Sequence, residues 1–279
     1  MPLLTEYRLR VGGRFVGLLQ GPAGWGEYSP LPGYACDPAS ARRAAAEAAT
    51  EGWPVPRRDT VPVNALVTGP GFDATAVGTY PAVKVKVRDR GDADLVAAVR
   101  DAVGPNVALR IDANGAWDVD TAVAMLGRLA RYELELAEQP VAALDDLARV
   151  RRRVTVPVAA DECIRSIDDA RRLRSLRAAD AIVLKVQPLG GVRAALAVAE
   201  AAGIPAVPTS MMETSVGIAA GLALAAALPD LPFACGLATA TSLPADVTHE
   251  RLLPVDGVLR VRAVEPAPDL LARYQVASS

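Results

Sequence analysis

An α/β barrel behind a small α+β unit is the architecture this sequence predicts, and three features lead to it. Apolar, β-branched segments alternate with amphipathic helical stretches from Val61 onward. There are eight such segments in about 175 residues, which fits a closed parallel barrel better than a doubly wound open sheet, although periodicity alone leaves both open. The first 60 residues follow a different pattern, with short alternating strands and a single helix.

In order, Tyr7-Arg8-Leu9-Arg10-Val11 and Arg14 to Leu19 alternate as the two arms of a hairpin that turns at Gly12-Gly13. The glycine-rich turn Gly24-Trp25-Gly26-Glu27-Tyr28-Ser29-Pro30 follows, then a helix from about Pro38 to Glu51. Trp53-Pro54-Val55-Pro56 reads as the linker out of this unit. Barrel strands are expected at Val63–Val67, Ala82–Val87, Val107–Asp112, Glu133–Glu138, Val156–Asp161, Ala181–Lys185, Ile204–Pro208 and Phe233–Gly236. Leu95, Val96, Val99 and Val103 form one helical stripe, and Val119, Val123, Leu126 and Leu129 another, with Asp118 as N-cap of the second. Pro254-Val255-Asp256-Gly257-Val258-Leu259 carries a turn signal, and the tail beyond is expected to pack back on the first unit.

Composition removes several function classes. The 279 residues hold 30 Lys plus Arg against 32 Asp plus Glu, and the longest basic block is Arg151-Arg152-Arg153, so nothing points to nucleic acid. The start, Met1 to Glu6, lacks the basic flank and apolar run of a signal peptide. The apolar run Val216 to Leu228 is shorter than the roughly 20 residues a bilayer requires, so it reads as a buried helix and no membrane is expected. Cys36, Cys163 and Cys235 are odd in number and far apart, as expected of reduced thiols in a cytoplasmic protein. His249 is the single histidine and is expected at the surface, which excludes a multi-histidine zinc site. Any chemistry must come from Lys, Asp, Glu, Ser or backbone groups. Nothing in the sequence separates a monomer from a homo-oligomer.

Such groups stand at the strand ends. Lys86, Asp112, Glu138, Asp161 and Lys185 close five consecutive strands at intervals of 23 to 26 residues, each one strand-helix unit. In a parallel barrel they share the C-terminal face, where barrel enzymes keep their active sites. The three acids come from neighbouring strands, and like charges in a concave site repel unless compensated. Oxygen ligands without histidine or thiolate suit Mg²⁺, and Mn²⁺ would also fit. Lys84, Lys86 and Lys185 could neutralise the acids instead. Within Val83-Lys84-Val85-Lys86-Val87 the lysines share one strand face and the valines the other. A neutral lysine is a good base, and a nearby cation, Lys84 or the metal, disfavours its protonation. Lys86 and Lys185, on opposite sides of the ring, point to proton abstraction next to the carboxylate of a small-molecule substrate, with the resulting enediolate stabilised by the metal.

In Lys84-Val85-Lys86, Arg110-Ile111-Asp112-Ala113-Asn114-Gly115, Glu138-Gln139-Pro140, Ala160-Asp161-Glu162-Cys163 and Leu184-Lys185-Val186, the chain resembles the enolase superfamily, muconate-lactonizing subgroup. The resemblance covers nearly the whole chain. It implies a TIM-like (β/α)7β barrel over residues 61–253 and an α+β capping domain over residues 1–60, joined by the tail from about 254 to 279. It also implies Mg²⁺ on Asp112, Glu138 and Asp161, supported by Asn114, Glu162 and Arg110. Cys163 stands where serine is commoner. The glycine-rich turn, the short cap, and Ala245-Asp246-Val247-Thr248 leading to Leu253-Pro254-Val255-Asp256-Gly257 are most similar to the subgroup's dehydrating members. That implies that Lys86 removes the α proton of a succinyl-hydroxycyclohexadiene carboxylate and then protonates the departing hydroxyl. Lys185 would stabilise the enediolate, and Ser210 and Gly236 would line the succinyl side. N-acylamino acid racemisation is the nearest rival. Dipeptide epimerisation is disfavoured because Gly236 to Thr241 lacks the acid pair its members carry, and a metal-binding barrel without catalysis is a third alternative.

Overall fold

The structure, a computed structural model, describes residues 4–89 and 91–276. β1 (Thr5–Val11), β2 (Arg14–Gly21) and β3 (Gly24–Tyr28) form an antiparallel sheet in that order. Between β1 and β2, Gly12 and Gly13 take φ values of 56° and 83°, left-handed conformations that match a two-residue turn to the strands' twist. The alanine-rich helix Pro38–Thr50 lies on this sheet, its first turn capped by Asp37 through the N–H groups of Ala39 and Ser40. Its Ala41, Ala45 and Ala49 pack on Leu19 and Tyr28.

After the short strand β4 (Thr60–Pro62) come seven parallel strands: β5 (Asn64–Val67), β6 (Ala82–Lys86), β7 (Ala108–Asp112), β8 (Leu134–Glu138), β9 (Val158–Ala160), β10 (Ala181–Lys185) and β11 (Ala206–Thr209). They neighbour one another in chain order, with a helix between most successive pairs. β9 and β11 begin two residues later than expected, because Pro157 and Pro205 have no N–H to give to the ladder, and β5, β7 and β8 begin one residue later. The eighth expected strand, Phe233–Gly236, is reduced to two parallel bridges, Cys235 to Val63 and Gly236 to Thr209. Pro232 precedes it and the 3-10 turn Ala238–Ser242 follows almost at once, so little length remains for a ladder. The bridges are nonetheless hydrogen-bonded on both sides: Asn64 N–H donates to Cys235 O, and Gly236 N–H donates to Pro208 O, both at 2.9 Å. The sheet thereby curls from β11 back to β5.

The alternation of each strand sorts its side chains. Val83, Val85, Leu109, Ile111, Ile182 and Leu184 face outward and pack against helical stripes that include Val96, Val99, Leu126 and Leu129. Each such burial stabilises the fold by about 1.5–3 kcal/mol. Asp118 caps the second of these helices through Thr121 N–H, as its position in the sequence suggests. Leu136, Ala159, Val183 and Val207 face inward and fill the barrel.

The last strand, β12 (Val258–Arg260), pairs antiparallel with β4, and Leu9 on β1 bridges to Gln275. The tail therefore returns to the N-terminal unit. Helix Ser215–Ala227 is almost wholly buried, packed into a core shared by β1, β2 and the tail. Among the described residues no helix is long and apolar enough to cross a membrane. His249 is exposed, its Nε2 3.1 Å from Asp269, and all three cysteines are free thiols.

Candidate active site

The ends of β6, β7, β8 and β10, with Asp161 just after β9, bring Lys86, Asp112, Glu138, Asp161 and Lys185 into one layer. The residues two positions earlier, Lys84, Arg110, Leu136, Ala159 and Val183, form the layer beneath. One irregularity sets this alignment. Between β7 and β8 the register slips, so that Leu109 pairs with Leu134 but Arg110 with Leu136, and Glu135 is the extra residue. From there on Asp112 faces Glu138, and both point into the barrel.

Lys84 reaches up from the lower layer. Its Nζ donates to both oxygens of Glu138 at 2.9 Å and lies 3.1 Å from Asp112 Oδ2. Lys86, with a third of its side chain exposed, donates to the same Asp112 oxygen at 2.6 Å and to Asn114 Oδ1 at 2.7 Å. Asn114, held in the left-handed region at φ 46°, donates its amide to Glu162 Oε1 at 2.8 Å. Lys185 is buried and donates to Asp161 Oδ1 at 2.6 Å and also to Oδ2. β6 and β10 lie four strands apart in the sheet, so Lys86 and Lys185 enter from opposite sides of the mouth.

Burial alone would push Lys84 and Lys185 toward the neutral amine. The carboxylates of Glu138 and Asp112 outweigh it at Lys84, and that of Asp161 outweighs it at Lys185, so both stay well above the usual lysine range. Burial raises Asp112, but the ammonium groups of Lys84 and Lys86 prevail and hold it far below the usual carboxylate range. Glu138 goes the other way: burial and repulsion from Asp112 push it up to about 8.

The residues fit a hard divalent cation in their donor chemistry, with three oxygen-only side chains at neighbouring strand ends and neither imidazole nor thiolate among them. The buried Oε2 of Glu162, next to Asp161, has no hydrogen-bond partner, which leaves an acceptor spare at this corner. Among the described residues no three acidic, histidine or cysteine side chains already surround a common ion position, because each of these acids is turned toward a lysine.

Not every expected residue joins the cluster. Arg110 lies beneath it, its Nη1 donating to Ala234 O at 2.7 Å and its Nε to Glu135 at 2.5 Å, with Phe233 against the guanidinium. The structure therefore places it in the barrel floor, away from the acids. Ser210 and Gly236 do meet: Ser210 Oγ donates to Gly236 O at 2.7 Å. Gly236 is itself buried, and a Cβ on it would lie 2.7 Å from Thr209 Cγ2, so its smallness serves strand packing.

Sequence reasoning missed Tyr34 and the role of Gln139. Tyr34, from the loop between β3 and the first helix, donates its hydroxyl to Asp161 Oδ1 at 3.0 Å and lays its ring 4.8 Å from Lys185 Nζ. No local pattern marks it, because the contact spans 127 residues. Gln139, at φ 39°, accepts Asp161 N–H at 2.7 Å and donates to Val141 O at 2.7 Å, which fixes the turn between two acids. Its place inside Glu138-Gln139-Pro140 was the available signal.

Residues 72–267 match the family model described as enolase C-terminal domain-like. The chain is 54% identical to the o-succinylbenzoate synthase of Thermobifida fusca (strain YX), with 99% of this chain and 90% of that protein covered. It is 45% identical to the o-succinylbenzoate synthase of Mycobacterium leprae (strain TN), with 96% and 82% covered. Among solved structures, the muconate lactonizing enzyme from Klebsiella pneumoniae is similar in fold, with a TM-score of 0.85 over 98% of this chain and 99% of that one at 22% identity.

Proposed function

From the premise that the chain belongs to the enolase superfamily and, within it, to the family of the o-succinylbenzoate synthases, we propose that it is a lyase of menaquinone biosynthesis that dehydrates 2-succinyl-6-hydroxy-2,4-cyclohexadiene-1-carboxylate to o-succinylbenzoate. The likeness to the Thermobifida fusca synthase along almost the whole chain carries this reading.

The substrate proton to be removed is α to the ring carboxylate. Lys86, as the neutral amine, takes it. Its partly exposed position at the mouth supports this role, since the ring must reach Nζ while Lys84 stays below on the acids. Charge then develops on the carboxylate oxygens as the enediolate forms. Lys185 faces it from the opposite side as a fixed ammonium, which needs no reorganisation as the charge appears. Lys86, now protonated, gives its proton to the hydroxyl leaving from the neighbouring carbon on the same face. Water departs, the electron pair of the former C–H bond closes the third double bond, and the ring becomes aromatic. A divalent cation, Mg²⁺ or Mn²⁺, held by Asp112, Glu138 and Asp161 would supply Lewis-acid polarisation of the substrate carboxylate. Asn114, itself held by Glu162, orients Lys86, as their chained hydrogen bonds support.

The cap, residues 1–60 with the tail from about 254 to 279, closes the mouth of the barrel 61–253, a reading supported by the hydrogen bond from Tyr34 of the cap to Asp161 at 3.0 Å. Ser210 faces the succinyl side. Three free thiols suit a reducing, cytoplasmic setting. The test is a side-by-side assay of this dehydration and of N-succinylamino acid racemisation. The expected outcome is fast appearance of the aromatic product with racemisation slower or absent. Racemisation alone would overturn the reading.

A further inference from the structure

Where the cap meets the barrel, a second cluster of acids lies outside the ring of strand ends. Glu27, at the end of β3 and 4% exposed, accepts hydrogen bonds from Ser29 Oγ at 2.5 Å, Gly217 N–H at 3.0 Å, Thr214 N–H at 3.2 Å and the Thr214 hydroxyl. Three of these donors belong to the first turn of helix Ser215–Ala227 and its N-cap. Glu213, equally buried, accepts from Met211 N–H and, at 3.3 Å, from Gln187 Nε2. Gln187 Oε1 in turn accepts Ser29 N–H at 2.8 Å. The bonds close into a ring through three elements: the cap strand, the turn after β10, and the segment after β11. Arg14, also from the cap, locks it from outside by donating to Ser29 O at 3.1 Å and to Met212 O.

This ring has an address in the chemistry. Gln187 stands two residues beyond Lys185, and Met211 one beyond Ser210. Close approach is built in: a Cβ on Gly217 would lie 2.4 Å from Glu213 Cβ and 3.1 Å from Glu27 Cδ. The four donors converge on both carboxyl oxygens, Ser29 Oγ and Thr214 N–H on Oε1 and the Thr214 hydroxyl and Gly217 N–H on Oε2, so the NH2 of a glutamine in place of either oxygen would face a backbone N–H. A contrasting contact lies nearby. Glu47, on the cap helix, accepts from Val192 N–H at 3.0 Å and Arg193 N–H at 3.2 Å, joining cap to barrel without touching Ser210 or the segment after β11.

We propose that Glu27 is a positioning residue for the dehydration: from the cap it fixes the segment Ser210–Thr214, and hence Ser210, relative to the strand that carries Lys185. The proposal rests on the dehydratase reading above. Lys185 is held by its own strand and by Asp161, so loss of Glu27 loosens substrate binding more than it disturbs the reacting groups.

The test compares Glu27→Gln, Glu213→Gln and, as control, Glu47→Gln in the full chain. For Glu27→Gln the expected result is a KM for dehydration about tenfold higher with kcat within about threefold of wild type. Amide hydrogen exchange over residues 211–217 should be faster in Glu27→Gln and Glu213→Gln, and unchanged in Glu47→Gln. An unaltered KM in Glu27→Gln, or an equal KM rise in Glu47→Gln, would overturn the proposal. If Glu27→Gln does not fold, Glu213→Gln is read in the same way, and an unaltered KM there overturns it. If wild type itself does not dehydrate the substrate, the dehydratase reading fails first. The exchange comparison then decides alone whether Glu27 fixes this segment, with equal exchange in Glu27→Gln and Glu47→Gln overturning that.

Discussion

Replacing Lys86 with methionine removes the ammonium and keeps most of the side-chain length, and the structure separates what this costs in stability from what it costs in chemistry. In the variant Asp112 would lose one partner at 2.6 Å but retain Lys84 at 3.1 Å and the Asn114 N–H at 3.0 Å. Its buried charge would stay compensated, so the cost to folding is about 1 kcal/mol, in the range of partly exposed ion pairs. Lys84→Met is the contrast. It strips Glu138 of its ammonium, while Asp112 keeps Lys86 at 2.6 Å and the Asn114 N–H, so one buried acid is left without its cation at a cost of about 3–5 kcal/mol. Catalysis should rank the other way for Lys86. A positioned acid or base is worth about 10²–10⁴-fold, and one amine serves both transfers, so Lys86→Met should lose roughly 10⁴-fold or more in kcat. The assays are aromatic product formation in single-substrate kinetics and urea unfolding at neutral pH, with chelator present in the unfolding series. Turnover of Lys86→Met within tenfold of wild type would refute its role as proton carrier. A stability loss as large as that of Lys84→Met would refute the division of labour between the two lysines.

Lys185→Ala should abolish dehydration while the protein still unfolds cooperatively, checked by the same two assays; near wild-type turnover would remove it from the mechanism. Chelation should eliminate activity and Mg²⁺ or Mn²⁺ restore it, and full activity in a rigorously metal-free preparation would refute the assignment of Asp112, Glu138 and Asp161 as ligands. Burial, reinforced by repulsion from Glu213, raises Glu27 to about 7. With a folded value above the unfolded one, the stabilisation is complete below the unfolded carboxyl pKa and lost as pH rises through about 7. The urea unfolding free energy of wild type should therefore fall more steeply than that of Glu27→Gln between pH 5 and about 7.5, by roughly 2–2.5 kcal/mol in total. Parallel profiles would show that Glu27 keeps an ordinary carboxyl pKa.

Much of the site was legible in the chain because barrel enzymes place their polar residues at a recurring distance. Lys86, Asp112, Glu138, Asp161 and Lys185 could be found by counting, and the alternation of Val83 to Val87 told which side of the strand the lysines would take. The weakest strand showed the limit of that method. Phe233–Gly236 has the apolar character of a strand yet keeps only two bridges, since its pairing depends on how far the sheet curls before it closes. Arg110 showed another. It shares a motif and a strand face with Asp112, but one layer down its guanidinium finds Glu135, Ala234 O and Phe233 instead of the acids.

By itself, then, the sequence determined the strand-helix rhythm, the residue types at the mouth and the class of chemistry they allow, because all three follow from local periodicity and side-chain identity. Only the tertiary structure decided who partners whom. Lys84 divides itself between Glu138 and Asp112, Tyr34 reaches Asp161, and Glu27 reaches Thr214 and Gly217. Such contacts join segments up to 190 residues apart, and their energies depend on burial and on the angle at which cap meets barrel, neither of which any local stretch of chain encodes.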